Sequence, residues 1–241
     1  ISHRLEEIWR VCNRVTVLRD GERIISKTLE ELTIDKIIRS MVGRELTEQY
    51  PKQQIEIDGE ALRVEGLTKE GICEDVSFSA RKGEILGFMG PNGAGKSTTM
   101  RMITGYLPPS SGTAVIGGRD IVQDGLSARK MIGYLPENAP VYREMTVLSF
   151  LDFIAEIRGF SGDRRRSAVS AAIEKCFLAE VRNQSIGTLS KGFKQRVCFA
   201  QSILHDPPYL ILDEPTDGLD PNQKHEVRQM IRDMSGEKAV I

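Results

Sequence analysis

The chain has 241 residues, 40% hydrophobic and 28% charged, and 33 Lys and Arg against 34 Asp and Glu leave a net charge of −1. That length suits one large domain or one and a half small ones. The balanced charge gives no electrostatic case for nucleic acid or an anionic membrane as the main partner, and no apolar run approaches the ~20 residues of a membrane helix.

The first ten residues carry Arg4, Glu6, Glu7 and Arg10, which does not read as a signal peptide. Cys12, Cys73, Cys176 and Cys198 form no close pair, so neither a zinc knuckle nor a redox pair is suggested, and they are expected as buried free thiols. Residues 15–26, "VTVLRDGERIIS", predict a hairpin turning at Asp20-Gly21. Thr33 is placed to cap a short helix, "IDKIIRSMV", that Gly43 ends. Residues 44–60 are polar and interrupted by Pro51 and Gly59; the linker is set at 51–60, between a first piece, 1–50, and a second, 61–241.

In the second piece "ALRVEGL" and "DVSFSA" predict strands, and "GEILGFMG" a short buried strand ending in glycine. After a glycine-rich turn, "KSTTMRMIT" predicts a helix stopped by Gly105. "TAVIGGRDI" and "KMIGYLPE" each supply a strand and a turn. Thr146 is expected to cap a helix through Ile157, and "RRRSAVSAAIEKCFLAEV" to form another with Arg164, Arg165 and Arg166 on a solvated face. "YLILDEP" predicts a buried strand, Asp220-Pro221 the start of a helix to about Met234, and "EKAVI" a final strand. Alternating strands and helices indicate an α/β domain with a mainly parallel sheet.

Gly90-Pro91-Asn92-Gly93-Ala94-Gly95-Lys96-Ser97 fits G-x-x-x-x-G-K-[ST] between a strand and a helix. Glycines let backbone N–H groups turn inward around phosphate oxygens, and the helix adds the positive end of its dipole. Lys96 would reach the β- and γ-phosphates, Ser97 would ligate Mg²⁺, and Thr98 would help hold the α-phosphate. Asp213, at the end of an apolar strand, would bind the metal through water, and Glu214 would polarise the attacking water. ATP and Mg²⁺ are the implied substrate and cofactor.

With "LSKGFKQR", Leu189 to Arg196, preceding that acidic pair, the sequence resembles the ATP-binding cassette (ABC) family. The resemblance implies a P-loop NTPase fold with a mainly parallel core sheet, an antiparallel β subdomain and an α-helical subdomain at about 140–190. "LSKGFKQR" is similar to the family signature, in which Ser190 and Gly192 would offer a hydroxyl and a backbone N–H to the γ-phosphate of nucleotide held by a second cassette, in a head-to-tail dimer. "GLDP", Gly218 to Pro221, resembles the loop joining the two sites. Lys191 and Phe193 depart from the usual signature, and Glu137 in "YLPEN" stands where most cassettes have Gln; these departures suggest an exporter subtype. Glu137 is expected to contact Mg²⁺ and a transmembrane permease. No Tyr, Phe or Trp lies between Arg63 and Ser77, where the family usually has an aromatic that stacks on adenine; losing that stacking would cost about 1–3 kcal/mol.

The first 50 residues resemble the segment that ends a cassette. His3 looks like the switch histidine that contacts the γ-phosphate, and residues 1–87 are similar to tandem sugar-importer ATPases, whereas 88–241 are similar to exporter-type cassettes. Two readings follow. The chain is either a fragment or fusion, or it behaves as a circular permutation in which "EKAVI" and "ISHRLEEI" join one strand. The expectation is a truncation or recombination in which the two pieces still dock, with His3 within about 8 Å of the P-loop phosphate position. The function implied is an ATP-binding and hydrolysing subunit at the cytoplasmic face of the membrane, energising a separate permease and binding no nucleic acid. The alternatives are a nucleotide-binding module without productive turnover and a soluble ABC ATPase acting on ribosomes or DNA.

Overall fold

The computed structural model describes residues 5–19, 21–42, 58–138, 140–216, 219, 221–236 and 238–241. The chain divides into two compact units, Ile1–Gln54 with Gly218–Glu226, and Ile55–Asp217 with Val227–Ile241.

In the first unit α1 (Leu5–Val11) precedes an antiparallel hairpin of β1 (Arg14–Arg19) and β2 (Glu22–Thr28), with Arg14 opposite Thr28 and a register shift after Val17. Gly21 has φ +82°, the positive value that the expected turn requires. α2 (Ile34–Val42) begins as predicted, because the Thr33 hydroxyl accepts the Lys36 amide at 3.2 Å. A lone hairpin is marginal in water. Here Val15, Val17, Leu32 and Ile37 form a small core beneath it.

The second unit has two sheets. β3 (Asp58–Lys69), β4 (Cys73–Lys82), β5 (Ser111–Ile116) and β6 (Arg119–Asp120) form an antiparallel sheet in the order β4-β3-β5-β6. β7 (Ile132–Leu135), β8 (Tyr209–Leu212) and β9 (Ala239–Val240) form a parallel sheet in that order. Between the strands run α3 (Lys96–Ile103), α4 (Gly125–Lys130), α5 (Val147–Ile157), α6 (Gly162–Lys175), α7 (Lys191–Ile203) and α8 (Pro221–Ser235). Both sheets share one core: Met100, Met102 and Ile103 of α3 pack with Leu62 and Val64 of the antiparallel sheet and Ile132 and Ile211 of the parallel one. Helix α3 is thereby clamped, and with it the loop that leads into it. Among the described residues no helix is long and apolar enough to cross a membrane.

Several sequence expectations are corrected. "GEILGFMG" is not a buried strand. Ile85 forms one isolated parallel bridge to Val240, closed by Leu86 N–H to Val240 O at 2.8 Å and Val240 N–H to Glu84 O at 2.9 Å. Leu86 and Phe88 pack on the core, whereas Ile85 is 53% and Met89 93% exposed. One face is covered, where an unbroken apolar run had suggested two.

The linker is also shorter than expected at its C-terminal end: strand β3 already starts at Asp58. Residues 43–57, including Gly43 and the rest of the linker, lie outside the described residues, as does Asp20. The helix expected through Val181 ends at Lys175, because Phe177 takes φ +53° and a short 3-10 turn follows at Ala179–Val181. Its arginines do face solvent as expected, Arg164 and Arg166 exposed and Arg165 half-buried, and they are paired there: Arg165 with Asp152 at 3.0 Å and Glu156 at 3.2 Å, Arg166 with Asp163, and Arg164 4.3 Å over the Phe160 ring. Helix α4 had no counterpart in the reading of the sequence. Of the cysteines, Cys176 and Cys198 are buried, and burial pushes both thiols up to about 12; Cys73 is half-buried and Cys12 exposed.

Candidate nucleotide site

The loop Gly90–Gly95 links the Ile85 bridge to the first turn of α3. Two of its residues need glycine's freedom. Gly93 has φ +84° and Gly95, which caps the helix, φ +87°. Gly95 also has no room for a side chain: a Cβ there would stand 2.8 Å from Cys73 Cβ. The helix is locked at this end by Thr99, whose amide and hydroxyl both donate to the Gly95 carbonyl, at 2.8 and 2.9 Å. Ala94 N–H closes the loop onto Pro91 O at 3.2 Å. The Lys96 ammonium donates to the carbonyls of Gly90 at 2.8 Å and Pro91 at 3.0 Å, so it lies across the loop.

This loop forms one wall of a cleft of about 520 Å³. Asn92, Gly93, Gly95, Lys96, Ser97 and Thr98 line it, together with Glu137 from the turn after β7 and Glu214 from the end of β8. Parallel pairing of β7 with β8, Leu135 opposite Leu212, brings the two strand ends to one edge, so two acids distant in sequence meet the phosphate loop. Glu214 adopts φ +50°, a left-handed conformation that costs a non-glycine residue about 1–2 kcal/mol. Such strain persists where the surroundings impose it, and here it turns Glu214 out of the strand at the cleft.

Asp213 sits behind Glu214. It is 5% exposed, its amide donates to Leu135 O at 2.8 Å, and its Oδ2 is buried without a hydrogen-bond partner. Beside it, the Tyr134 hydroxyl has its pKa raised, first by burial and then by the Asp213 charge. A buried, unpartnered carboxylate oxygen is costly unless a cation or donor meets it. Asp213 is not among the residues that line the cleft, whereas Ser97 is; the carboxylate of the one and the hydroxyl of the other are hard-oxygen donors of the kind Mg²⁺ takes, an ion that keeps several waters and needs few protein ligands. Among the described residues no group of three or more His, Cys, Asp and Glu forms a closed metal cage.

Ser190 caps α7, its hydroxyl accepting the Phe193 amide at 3.3 Å; Gly192 is buried, and neither residue lines the Lys96 cleft. Phe193 carries the Arg196 guanidinium 5.2 Å from its ring centroid. His3, Gly218 and Asp220 lie outside the described residues; Leu219 is buried. One lining residue was missed by the reading of the sequence. Ile72, 49% exposed, belongs to the cleft wall. The signal lay in the turn "KEGIC", whose exposed tip carries a large apolar residue directly after Gly71.

Residues 73–217 match the family model described as ABC transporter. The chain belongs to the ABC transporter family, and its fold is that of an α/β P-loop NTPase. It is 37% identical over 254 aligned positions to the ribose import ATP-binding protein RbsA of Geobacillus kaustophilus, an alignment covering 100% of this chain and 51% of that protein. It is 35% identical over 253 positions to ribose import ATP-binding protein RbsA 2 of Streptomyces avermitilis, again over 100% of this chain and 50% of the relative. The chain thus spans about half the length of the curated relatives it matches. Among solved structures, the ATP-binding subunit of an ABC transporter superposes with TM-score 0.66 at 29% identity, covering 75% of this chain and 78% of that one. cbiO1 of Clostridium perfringens, part of the ABC transporter complex cbiONQ, gives TM-score 0.67 at 27% identity, covering 76% and 78%.

Proposed function

We propose that the chain is an ATP-binding and hydrolysing part of an ABC importer that drives a separate membrane permease, with a sugar of the ribose class as cargo. The observation that carries this reading is the single cleft where Lys96, Ser97, Glu137 and Glu214 meet. Nucleotide phosphates lie against the amides of Gly93 to Ser97 and the start of α3. Lys96 exchanges its two carbonyl partners for phosphate oxygens. Ser97 and Asp213 are the residues that would hold Mg²⁺, whose charge would offset that of the phosphates. Glu214 orients the attacking water and accepts its proton. Ser190 and Gly192 serve the nucleotide of a facing second cassette, and Glu137 relays its state towards the permease.

Alignment of the whole of this chain with about half of each ribose import ATP-binding protein supports the cargo class, and its running through both pieces supports residues 1–50 and 61–241 as parts of consecutive cassettes. The permease is assigned to a groove of about 690 Å³. Tyr106, Leu126 and Ile157, 77%, 64% and 65% exposed, rim it, and Gln201 Oε1 is buried there without a partner. Large apolar residues clustered in water mark a contact surface.

The test is the steady-state rate of ATP hydrolysis against protein concentration, in the presence of Mg²⁺. A rate per molecule that rises with concentration and vanishes in Glu214→Gln supports the hydrolase. Nucleotide binding with no turnover at any concentration assigns the binding-only reading instead.

A further inference from the structure

Arg164, Arg165 and Arg166 are neighbours in sequence, but the structure gives them different partners. Arg165 meets the carboxylates of Asp152 and Glu156, and Arg166 that of Asp163. Arg164 has no carboxylate partner among the described residues; its guanidinium lies 4.3 Å over the Phe160 ring, and both side chains line a cleft of about 390 Å³ between α6 and the segment that follows α7. Ser167 and Lys175, on the same face of α6, continue this wall. Lys175 also lacks a carboxylate partner among the described residues: Asp206, at the same cleft, is taken by Lys238 at 2.7 Å and feels Lys175 only as a further charge. His205 lines the cleft from the segment after α7, its Nε2 3.1 Å from the Ile132 carbonyl. No lining residue is shared with the Lys96 cleft or with the groove assigned to the permease.

The wall therefore carries two cations and a hydroxyl without an anion to balance them. A guanidinium laid on an aromatic ring presents its N–H fork in one plane, the form in which arginine takes a phosphate through two parallel bonds. Ser167 adds a hydroxyl donor one turn on, and Lys175 a point charge at the far end. Eleven residues of helix set the Cα atoms of Arg164 and Lys175 about 16 Å apart. Arg164 is held at Phe160, which precedes the helix, so its charge does not turn back towards Lys175. A single phosphate cannot serve both cations, whereas a ligand charged at each end can. We infer that this cleft binds a small organic dianion of the sugar-bisphosphate class, with one phosphate on Arg164 and Ser167 and the other on Lys175. Its volume is that of a small-molecule site.

The experiment is calorimetric titration of the whole chain with fructose 1,6-bisphosphate as the probe, beside ribose 5-phosphate and fructose, for the wild type, Arg164→Ala, Lys175→Ala and Lys96→Ala. The bisphosphate is expected to bind the wild type with a Kd at or below about 1 mM. Ribose 5-phosphate should bind at least about tenfold more weakly, having lost one charge-assisted contact, and fructose not at all. Arg164→Ala and Lys175→Ala should each weaken the bisphosphate by about tenfold or more while leaving the affinity for a fluorescent ATP analogue unchanged. Both side chains are exposed, so melting temperatures should stay within about 2–4 °C of the wild type. Lys96→Ala should bind the bisphosphate as the wild type does. No binding up to about 10 mM, or equal affinity for the two sugar phosphates, overturns the inference. Binding that Lys96→Ala abolishes and Arg164→Ala spares places the probe on the phosphate loop and overturns it as well.

Discussion

The ammonium of Lys96 lies 2.8 Å from the carbonyl oxygen of Gly90, six residues earlier in the chain, and 3.0 Å from that of Pro91. The loop thus carries its cation folded onto its own backbone. The two bonds are exposed, so little folding stability depends on them, whereas phosphate oxygens at the same spot would gain a charge-assisted partner. Lys96→Ala is expected to weaken ATP binding by about 10- to 150-fold, the loss of one hydrogen bond to a charged group. Its melting temperature should fall by no more than about 4 °C. Titration with a fluorescent nucleotide and a thermal melt check both; unchanged affinity refutes the assignment of Lys96.

Glu214 combines a left-handed backbone with an exposed carboxylate at the cleft. Two substitutions separate these features. Glu214→Gln keeps size and backbone while removing the base, so ATP binding should survive and turnover should fall by about 10²- to 10⁴-fold. Glu214→Gly removes the base and also relieves the φ penalty, so it should hydrolyse no ATP yet unfold at higher denaturant, by about 1 kcal/mol. A Gly variant less stable than the wild type would show that contacts of the Glu214 side chain, not function, hold that conformation.

Local chemistry made much of the fold legible in the sequence. Thr33 and Thr146 marked helix starts because a hydroxyl before an apolar run has few other uses, and both accept an amide three residues on. The phosphate loop was legible because its glycines answer to backbone conformation, as φ values at Gly93 and Gly95 show. What misled was pairing. The run "GEILGFMG" carries the composition of a strand buried on both faces, but its pairing is the isolated Ile85–Val240 bridge and only Leu86 and Phe88 pack on the core. Phe177 ends α6 through a positive φ that no residue preference announces. Ile72 escaped notice because its place in the cleft wall depends on a tip hung from Pro108 and Ser110, some forty residues away. His3, on which the expected completed site turned, lies outside the described residues.

Thr146 offers a test of the helical subdomain apart from catalysis. Its hydroxyl accepts the Ser149 amide at 3.1 Å and lies 2.8 Å from the Ser149 hydroxyl, while the start of α5 is tied to Arg182 and Gln184 through backbone bonds. Thr146→Ala should cost about 1 kcal/mol and Thr146→Ser only a few tenths. Urea unfolding distinguishes the two. Equal losses would mean that the Thr methyl, and not the cap, matters at this position.

The groove rimmed by Tyr106, Leu126 and Ile157 predicts a separation of hydrolysis from transport. These side chains are exposed, so a charge there is tolerated by the fold but not by an apolar partner. Leu126→Asp with Ile157→Asp should leave the melting temperature within about 2–4 °C of the wild type and retain nucleotide binding. The same variant should fail to co-purify with the proposed permease from detergent-solubilised membranes. Co-purification at wild-type yield would move the permease contact elsewhere.

His205 sets a pH dependence whose sign follows from its surroundings. Its Nε2 lies 3.1 Å from the Ile132 carbonyl, and Nδ1 is buried without a partner. Burial foremost, then the charge of Arg158 and more weakly that of Lys238, push its pKa down to about 4; the bond to Ile132 and the charge of Asp206 oppose this. The imidazole is therefore neutral in the folded chain and titrates near 6.5 once unfolded. Between those values the unfolded state binds a proton that the folded state refuses, so stability is full above pH 6.5 and declines as pH falls towards 4. The slope approaches about 1.4 kcal/mol per pH unit for this one proton. Asp206, held low by its hydrogen bond to Lys238, acts in the same direction only below the usual carboxylate range. His205→Gln, able to keep the bond to Ile132, should flatten the profile between pH 6.5 and 5 while leaving stability at pH 7.5 within about 1 kcal/mol. Denaturant midpoints of the two proteins across that interval measure it directly, and parallel profiles would show that His205 does not couple folding to protons.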